Sequence, residues 1–278
     1  MRIEQTDIIE KADLHLHTVY SDGKYTVPEL LDLLRQNNIK LFSITDHDTI
    51  EGLSELEKIN PDGGMKYIPG IEFSSEYDGR EVHILGYNID YESDIFKDHI
   101  MKFRKNRIDR ILKIIDKLNY LGLKFLPDDF FGYFKDTRSI GRPHIAEYIY
   151  KLGYVKSYQD AFNKYIGDFK IAYFRKNSPD TLNVIKLIKE TGGVSVLAHP
   201  GKNFLWSNID VLLQAGLDGI EIFHPAHKSD KAKKFEKFAL ENNLIVTGGS
   251  DFHGLEENEI NNIGKIFINT EKVKFLIE

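Results

Sequence analysis

Short apolar runs rich in β-branched residues recur along this 278-residue chain, and each is the length of a strand rather than a helix. They occupy residues 41–45, 66–73, 81–87, 193–198, 219–223 and 244–247. Helix-type segments lie between several of them. Strands that alternate with helices form a mainly parallel sheet, so the pattern predicts an α/β fold. A barrel is the version of that fold in which the strand ends meet at one mouth.

Helix boundaries can be predicted at three places. Thr26 and Glu29 have the spacing of a capping box and predict a helix that begins after Thr26. Ser178-Pro179 is typical of a second helix start, with Gly192 at its end. Ser229 is predicted to cap a third helix.

The interval 94–177 lacks strand-like runs, and its apolar residues recur at helical spacings. We therefore predict a barrel domain formed by residues 1–93 and 178–278, with 94–177 inserted as a small helical subdomain. The first inserted helix carries a run of cations: Lys102, Arg104, Lys105, Arg107, Arg110, Lys113 and Lys117. Such a run is either a solvated face or the cationic side of a lid over a phosphorylated substrate.

Composition excludes several classes of function. The 37 Lys and Arg against 43 Asp and Glu give a net charge of −6, which does not favour binding of long nucleic acids. With no cysteine, every metal ligand must come from His, Asp, Glu or a backbone oxygen. No run of about 18 apolar residues and no signal-peptide pattern occurs, so we expect a cytoplasmic protein with no membrane partner.

Histidines and carboxylates cluster at the ends of the predicted strands, where α/β folds form their active sites. In Asp13-Leu14-His15-Leu16-His17, strand alternation places both imidazoles on one side. Taken singly, each such residue is more commonly a satisfied polar group of the core. Their recurrence at five or six strand ends predicts instead a common metal site. The predicted ligands are His15, His17, Asp22, His47, Glu72, His83, His199, Asp251 and His253.

The motifs around these residues resemble those of the polymerase and histidinol phosphatase (PHP) superfamily of metal-dependent phosphoesterases. They are D-L-H-L-H-T, S-D-G, I-T-D-H-D-T, P-G-I-E, V-H-I-L-G-Y, L-A-H-P-G and G-S-D-F-H-G, in that order over residues 13–254. Their spacing is most similar to the branch of nucleoside 3′,5′-bisphosphate phosphatases, also described as short-oligonucleotide 5′ exonucleases. The resemblance implies a distorted (β/α)7 barrel with a helical insertion and a metal cluster in its mouth.

The resemblance also implies which residues share each ion. His15, His17, Glu72 and Asp251 would hold a first ion, and Glu72, His83 and His199 a second. Asp22, His47 and His253 would hold a third. Many relatives have histidine at the position of Asp22, which makes this third site more oxygen-rich here. Two to three Mn, Fe or Zn ions suit these ligands.

The implied reaction is attack on a phosphate ester by a hydroxide that bridges two ions. The implied substrate is small and phosphorylated: a nucleoside 3′,5′-bisphosphate, cleaved at its 3′-phosphate, or a short oligonucleotide. Arg142 and His144 match the family's phosphate-recognition segment, and His227 matches a position near the substrate, where it would donate a proton or hydrogen bond. Long duplex nucleic acid is not an expected partner, and the oligomeric state stays open.

Three alternatives share part of this evidence. One is a histidinol phosphate phosphatase, whose substrate has no nucleobase. Another is a non-catalytic metal-binding module that accompanies a polymerase. The third is an amidohydrolase, which would release ammonia or an amine instead of phosphate. Trp206 and the aromatic residues of 130–134 serve either base stacking or core packing.

Overall fold

The computed structural model describes residues 10–59, 64–200, 204–255 and 257–277. The strands in these residues are β1 (Lys11–Leu16), β2 (Ile39–Ile44), β3 (Lys66–Tyr67), β4 (Gly70–Tyr77), β5 (Arg80–Tyr87), β6 (Val194–Leu197), β7 (Gly219–Phe223), β8 (Ile245–Gly248) and β9 (Ile268–Asn269). One sheet has the order β3-β2-β1-β9 and the other β4-β5-β6-β7-β8. Neighbouring strands are parallel except for β5, which is antiparallel to β4 and β6, and β9, which is antiparallel to β1.

Two isolated parallel bridges join the first sheet to the two edges of the second sheet. One bridge pairs His47, just after β2, with Glu72 in β4, and the other pairs Leu16, at the end of β1, with Phe252, just after β8. The predicted α/β fold is therefore confirmed. Closure of β1, β2 and β4 to β8 into a (β/α)7 barrel is not established by two single bridges and stays a prediction.

The prediction of one strand over residues 66–73 is wrong. The chain forms two strands there, β3 in one sheet and β4 in the other, and Ile68 and Pro69 separate them. Pro69 has no N–H to donate to a ladder, so a continuous strand would lose a hydrogen bond at this position. The interruption lets the chain cross from one sheet to the other just before Glu72.

The α-helices are α1 (Val27–Gln36), α2 (Glu51–Ile59), α3 (Asp94–Tyr120), α4 (Pro127–Tyr133), α5 (Arg142–Lys151), α6 (Tyr158–Ala161), α7 (Thr181–Glu190), α8 (Ile209–Gln214), α9 (Ser229–Glu241) and α10 (Glu257–Ile260). A π-helical turn spans Phe162–Ile166, and 3₁₀ turns span Trp206–Asn208 and Thr270–Leu276. None of the described helices is long and apolar enough to cross a membrane.

The helix starts confirm one sequence prediction and correct two. The capping box is present, with the Thr26 N–H donating to Glu29 Oε2 at 2.8 Å. Helix α7 is capped by Asp180, which accepts from the Leu182 N–H at 2.8 Å, and not by Ser178. Ser229 is the first residue of α9 and not its cap, a position that Lys228 occupies. Capping depends on local backbone angles, which the residue type alone does not determine.

Apolar side chains form separate cores under the sheets and within the insertion. The first half of α3 packs Phe96, Ile100 and Phe103 into the sheet core. Its second half joins α4, α5 and α6 in a core of their own, which includes Ile115 and the fully buried Phe130. A second core is what a separate subdomain requires, although α3 belongs to both. The bounds 94–177 stay a prediction.

Trp206 stacks on Phe235 and meets Phe238 edge to face, with ring centroids 4.7 and 4.8 Å away. It packs against the core under the second sheet. Of the two uses left open for Trp206 and Phe130, the structure shows packing.

Candidate metal centre

The nine predicted ligands lie in one pocket at the ends of the strands, and Glu72 is at its centre. Glu72 is fully buried. Its Oε2 lies 3.0 Å from His15 Nε2, 3.2 Å from His17 Nε2 and 3.2 Å from His47 Nδ1. Its Oε1 lies 2.8 Å from His83 Nδ1 and 3.0 Å from His199 Nε2. Five imidazoles from different parts of the chain therefore surround one carboxylate.

Asp251 completes the first predicted group. Its Oδ1 lies 3.3 Å from His15 Nε2 and 3.4 Å from His17 Nε2. The ligand atoms of His15, His17, Glu72 and Asp251 all lie within 4.8 Å of one another, which is the size of a single ion site. This group is the one that the sequence resemblance implied for a first ion.

The other two groups differ from the implied sets in their membership. One contains Asp22, His47 and His253, as expected, and also His17. The other contains Glu72 and His83, but with His47 in place of His199. His17 and His47 thus face two groups each. All nine residues converge, while the division of ligands among individual ions stays a prediction.

The backbone around the pocket explains why these residue types occur there. Leu14 and Leu16 of β1 point into the apolar cores, so His15 and His17 face the pocket. A Cβ on Gly249 would lie 2.5 Å from the backbone nitrogen of His15, so only glycine fits beside β1 here. A Cβ on Gly23 would lie 2.6 Å from the carbonyl oxygen of His17.

Two of the ligands adopt a backbone conformation that is strained for their residue type. His199 has φ 28° and Asp251 has φ 51°, both in the left-handed region that favours glycine. Of the nearby glycines, Gly254 also has a left-handed φ of 71°, and Gly201 lies outside the described residues. Such strain concentrates at functional sites, where the surrounding structure holds it in place.

The turn that carries Asp22 is held by a buried carboxylate. Asp46 Oδ1 accepts from the Thr18 N–H at 2.7 Å and from the Ser21 hydroxyl at 2.6 Å. Its Oδ2 accepts from the Thr18 hydroxyl at 2.6 Å. Asp46 therefore fixes the loop and is not available as a ligand, although it directly precedes His47.

The carboxylates of the cluster stabilise positive charge on some of its histidines, whereas burial lowers the pKa of His47 to about 3. Burial acts to lower the pKa of His15, but Glu221, Glu72 and Asp251 outweigh it and hold that pKa well above its usual value. Against the same effect of burial, Glu72 raises the pKa of His83 to about 9 and Asp22 raises that of His253 to about 10. Burial alone would raise the pKa of Glu72, yet the surrounding histidines hold it well below its usual range. Glu72 is therefore ionised, and its negative charge attracts cations into a buried site.

Several buried polar atoms of the cluster have no hydrogen-bond partner in the described part of the chain. They are both ring nitrogens of His17, Oδ1 of Asp22, Nδ1 of His47 and Nε2 of His83. Carboxylate or imidazole groups lie 3.2 to 3.9 Å from these atoms but outside hydrogen-bond geometry. Buried polar atoms are nearly always hydrogen-bonded, so these atoms point to an additional partner. Imidazole and carboxylate donors without thiolate suit Mn, Fe or Zn. The residues present therefore fit a divalent metal cluster.

Sequence reasoning missed two residues that orient these ligands. Glu221 is fully buried in β7, with Oε1 2.9 Å from His15 Nδ1 and Oε2 accepting from the His199 N–H at 2.8 Å. His224 Nε2 donates to Asp251 Oδ2 at 3.0 Å, while its Nδ1 accepts from the Ala226 N–H at 3.0 Å. Contacts of this kind fix the tautomer and direction of metal ligands. The available signal was a carboxylate between Ile220 and Ile222 in a strand-like run.

The three residues predicted to bind or protonate the substrate have different surroundings. Arg142 lines the same pocket as Asp22, and its Nη1 lies 2.6 Å from Oδ1 of the exposed Asp168. His144 Nδ1 accepts from the Gly141 N–H at 2.9 Å, and its Nε2 donates to the Ser21 carbonyl oxygen at 2.9 Å. Both nitrogens of His144 are thus engaged with backbone groups, which suits a positioning role better than proton transfer.

His227 lies one layer away from the nine ligands. Its Nδ1 donates to the Ile222 carbonyl oxygen at 2.9 Å, and its ring centroid is 5.4 Å from that of His224. It lines a different open pocket, which contains His224 but none of the nine predicted ligands. Its predicted contact with substrate therefore stays a prediction.

A cation-rich pocket of about 600 Å³ opens beside the cluster. It is bordered by Asp22, His47 and His83 on one side and by Arg107, Arg110, Arg142 and Lys176 on the other. This space is called the cationic pocket. Of the two interpretations of the charge run on α3, the lid-like one fits Arg107 and Arg110, which face this pocket.

Arg110 is the cation least compensated by carboxylates. Arg107 Nε lies 2.9 Å from Asp48 Oδ2, and Lys176 Nζ lies 2.8 Å from Glu81 Oε1. Arg110 has no carboxylate of the described residues within ion-pairing distance, and its Nε donates to a backbone carbonyl. Burial and the nearby Arg142 lower the pKa of Arg110 to about 10. An anion in this pocket would relieve that repulsion.

Comparison with known proteins places the chain among phosphoesterases. A model of the PHP domain family matches residues 13–192. The chain is 30% identical over 257 residues to a 5′-3′ exoribonuclease of Haemophilus influenzae, covering 88% of this chain and 90% of the relative. It is 29% identical over 246 residues to a 3′,5′-nucleoside bisphosphate phosphatase of Chromobacterium violaceum, covering 87% and 86%.

A third relative and a solved structure extend the comparison. The chain is 30% identical over 251 residues to a phosphoribosyl 1,2-cyclic phosphate 1,2-diphosphodiesterase of Eggerthella lenta, covering 87% of this chain and 94% of the relative. A crystal structure from Bifidobacterium adolescentis, of a protein named as a metal-dependent phosphoesterase, has a TM-score of 0.85 and 29% identity. The match covers 96% of this chain and 95% of that one.

Proposed function

The chain belongs to the PHP domain family and is a metal-dependent phosphoesterase, and we propose that it removes the 3′-phosphate from nucleoside 3′,5′-bisphosphates. We also propose that it cuts short oligonucleotides from the 5′ end. The names of two relatives, a bisphosphate phosphatase and a 5′-3′ exoribonuclease, support these substrates.

The observation that carries the proposal is the position of the cationic pocket directly beside the ligand cluster. Asp22, His47 and His83 border both. A substrate with one phosphate at the metal centre and a second a few ångströms away would use both features, because Arg110 and Arg142 would neutralise the second phosphate. A monophosphate would leave Arg110 without an anionic partner.

We propose two to three divalent ions, Mn, Fe or Zn, held by the nine ligands, with Glu72 shared between two of them. When bound at such a site, the ions lower the pKa of a water molecule and polarise the phosphoryl oxygens. Glu72 and Asp251 set the positions of the ligands around them through the contacts given above. Glu221 keeps Nε2 of His15 directed into the pocket, and His224 does the same for Oδ1 of Asp251.

Arg142 and Arg110 orient the substrate through its second phosphate. His144 holds the Arg142 segment against the loop that carries Asp22, because its ring joins the Gly141 N–H to the Ser21 carbonyl oxygen. Burial lowers the pKa of His144, which keeps the ring neutral and suited to this pair of contacts. We keep His227 as a candidate proton or hydrogen-bond donor to the leaving group.

We further propose that β1, β2 and β4 to β8 form the distorted seven-stranded barrel of the family. The parallel bridges His47 to Glu72 and Leu16 to Phe252 support this, since they join the sheets at both margins. Residues 94–177 would then be an insertion that closes one side of the site, as the position of Arg107 and Arg110 on α3 suggests.

The experiment is phosphate release from a substrate panel with Mn²⁺, repeated after chelation. The panel contains a nucleoside 3′,5′-bisphosphate, a 3′-mononucleotide, a short oligonucleotide, histidinol phosphate and phosphoribosyl 1,2-cyclic phosphate. We expect the highest kcat/KM with the bisphosphate and loss of turnover on chelation. Preference for histidinol phosphate or for the cyclic phosphate would replace the proposed substrate, and activity that survives complete metal removal would contradict the mechanism.

A further inference from the structure

A second open pocket, of about 610 Å³, adjoins the cationic pocket at Asp22. The two pockets share Asp22 and Pro143 as lining residues. This second space is named the aromatic pocket, because its walls include Tyr133, Phe134 and Tyr158.

The aromatic walls are held by contacts with their neighbours, among them Lys151, whose Nζ lies 3.5 Å from the centroid of the Tyr133 ring and covers one of its faces. Phe134 packs edge to face on His144, with ring centroids 5.0 Å apart. Tyr133 packs edge to face on Phe134 at 4.7 Å and remains 44% exposed. Because His144 also contacts the loop of Asp22, these rings are fixed relative to the metal centre.

The aromatic pocket also offers polar groups. The Tyr158 hydroxyl makes no hydrogen bond with other described residues, and burial together with Asp22 and Glu147 raises its pKa, so it stays a protonated donor. Glu147 lines the same pocket and is ion-paired with Lys24. A few convergent polar groups among aromatic faces are typical of sites for flat heteroaromatic ligands.

From this geometry we propose that the aromatic pocket binds the nucleobase of the substrate, with the face of Tyr133 that Lys151 does not cover as a stacking surface. The inference rests on the proposed function. In a nucleoside bisphosphate, the base and the phosphates are attached to different carbons of the ribose. The cationic and aromatic pockets meet at Asp22 and Pro143, and a ribose placed there would let each group enter the matching pocket.

A different exposed aromatic residue provides the rival location. Phe169 is 95% exposed and lies at the rim of an outer pocket that includes Arg110, Arg142 and Arg175. That outer pocket is dominated by charged residues, and Phe169 is separated from Asp22 by the cationic pocket. Its chemistry suits further phosphates better than a base, which is why we assign the base to Tyr133.

The test measures the KM of Mn²⁺-loaded protein for two substrates. One is a nucleoside 3′,5′-bisphosphate, and the other is the corresponding tetrahydrofuran bisphosphate, which has the same sugar ring and phosphates but no base. Stacking of a base on an aromatic side chain contributes favourable binding free energy. Its loss in Tyr133→Ala should therefore raise KM for the nucleoside substrate about tenfold. The variant should leave KM for the base-free substrate unchanged, because no base is present to stack. Tyr133→Phe keeps the ring and should restore the wild-type KM.

Two control variants locate the effect. Tyr120→Ala removes an aromatic ring that is 83% exposed at the end of α3 and should behave as wild type with both substrates. Phe169→Ala should also leave the ratio of the two KM values unchanged. The proposal is overturned if Tyr133→Ala affects both substrates equally or neither, or if Phe169→Ala gives the base-dependent loss. In those cases the wild-type protein still hydrolyses the bisphosphate, whereas failure of the proposed function would show as no hydrolysis of either substrate.

Discussion

Replacing Glu221 by glutamine tests whether buried residues behind the cluster set its metal affinity. Glu221 has no solvent exposure, and its two oxygens accept from His15 Nδ1 at 2.9 Å and from the His199 N–H at 2.8 Å. Glutamine has nearly the same shape but only one accepting oxygen. One of the two contacts must therefore be lost.

Both orientations of the new amide are unfavourable. If its oxygen faces His15, its NH₂ group meets the His199 N–H, and a buried donor is left without an acceptor, at a cost of about 1 to 3 kcal/mol. If its oxygen faces His199, its NH₂ group donates to Nδ1 of His15. The proton of that ring then moves to Nε2, which can no longer bind a cation. Either outcome weakens the site that includes His15.

We expect Glu221→Gln to weaken Mn²⁺ binding by about tenfold to hundredfold, which corresponds to about 1 to 3 kcal/mol. Equilibrium dialysis against chelator-buffered Mn²⁺ measures the affinity, and the metal content at saturation gives the stoichiometry. Glu241→Gln, an exposed change on α9, is the matched control and should leave the affinity unchanged. A Glu221→Gln protein that binds Mn²⁺ as tightly as the wild type would refute the orienting role.

Three further predictions concern turnover, substrate affinity and stability. Glu72→Gln should remove nearly all turnover in the phosphate-release assay at saturating Mn²⁺, because Glu72 contacts five of the imidazoles. A wild-type rate for this variant would contradict the central position of Glu72. Arg142→Ala should raise KM for a nucleoside bisphosphate about tenfold with a smaller change in kcat, and unchanged steady-state kinetics would exclude it from the substrate site. Arg107→Met should lower the free energy of unfolding in urea by about 3 kcal/mol, because it leaves Asp48 buried without its ion-pair partner. Removing the exposed ion pair between Arg35 and Asp32 should lower that free energy by less than about 1 kcal/mol. Equal effects of the last two changes would contradict the assignment of Arg107 and Asp48 as a buried pair.

The sequence was sufficient to predict which polar side chains converge, because most of them follow or interrupt an apolar run. His15 and His17 have strand alternation, and Glu72 and His83 are polar residues within otherwise apolar strands. Those signals are local, and the meeting of the strand ends follows from the α/β fold. The convergence of eight of the side chains in overlapping groups, with His199 in contact with Glu72, agrees with that logic.

Residues that act through long-range contacts were not predictable in the same way. Glu221 is 206 positions from His15 in the chain, and His224 is 27 positions from Asp251. The sequence of residues 219–223 does not indicate which predicted ligand these residues will contact. The grouping of His47 with His83 has the same origin, because it depends on how two sheets meet at the bridge from His47 to Glu72.

The break between β3 and β4 shows a second limit. Residues 66–73 have the composition of one strand, and only the Pro69 position indicated an interruption. The choice of partner sheet for each half is made by tertiary packing, which local propensity does not encode.

Anomalous diffraction from crystals grown with Mn²⁺ tests the central claim most directly. We predict at least two anomalous peaks in the pocket of the nine ligands, with one peak within coordination distance of each oxygen of Glu72. Peaks located elsewhere, or a pocket without any peak at saturating Mn²⁺, would contradict the assignment of these residues as a multinuclear metal centre.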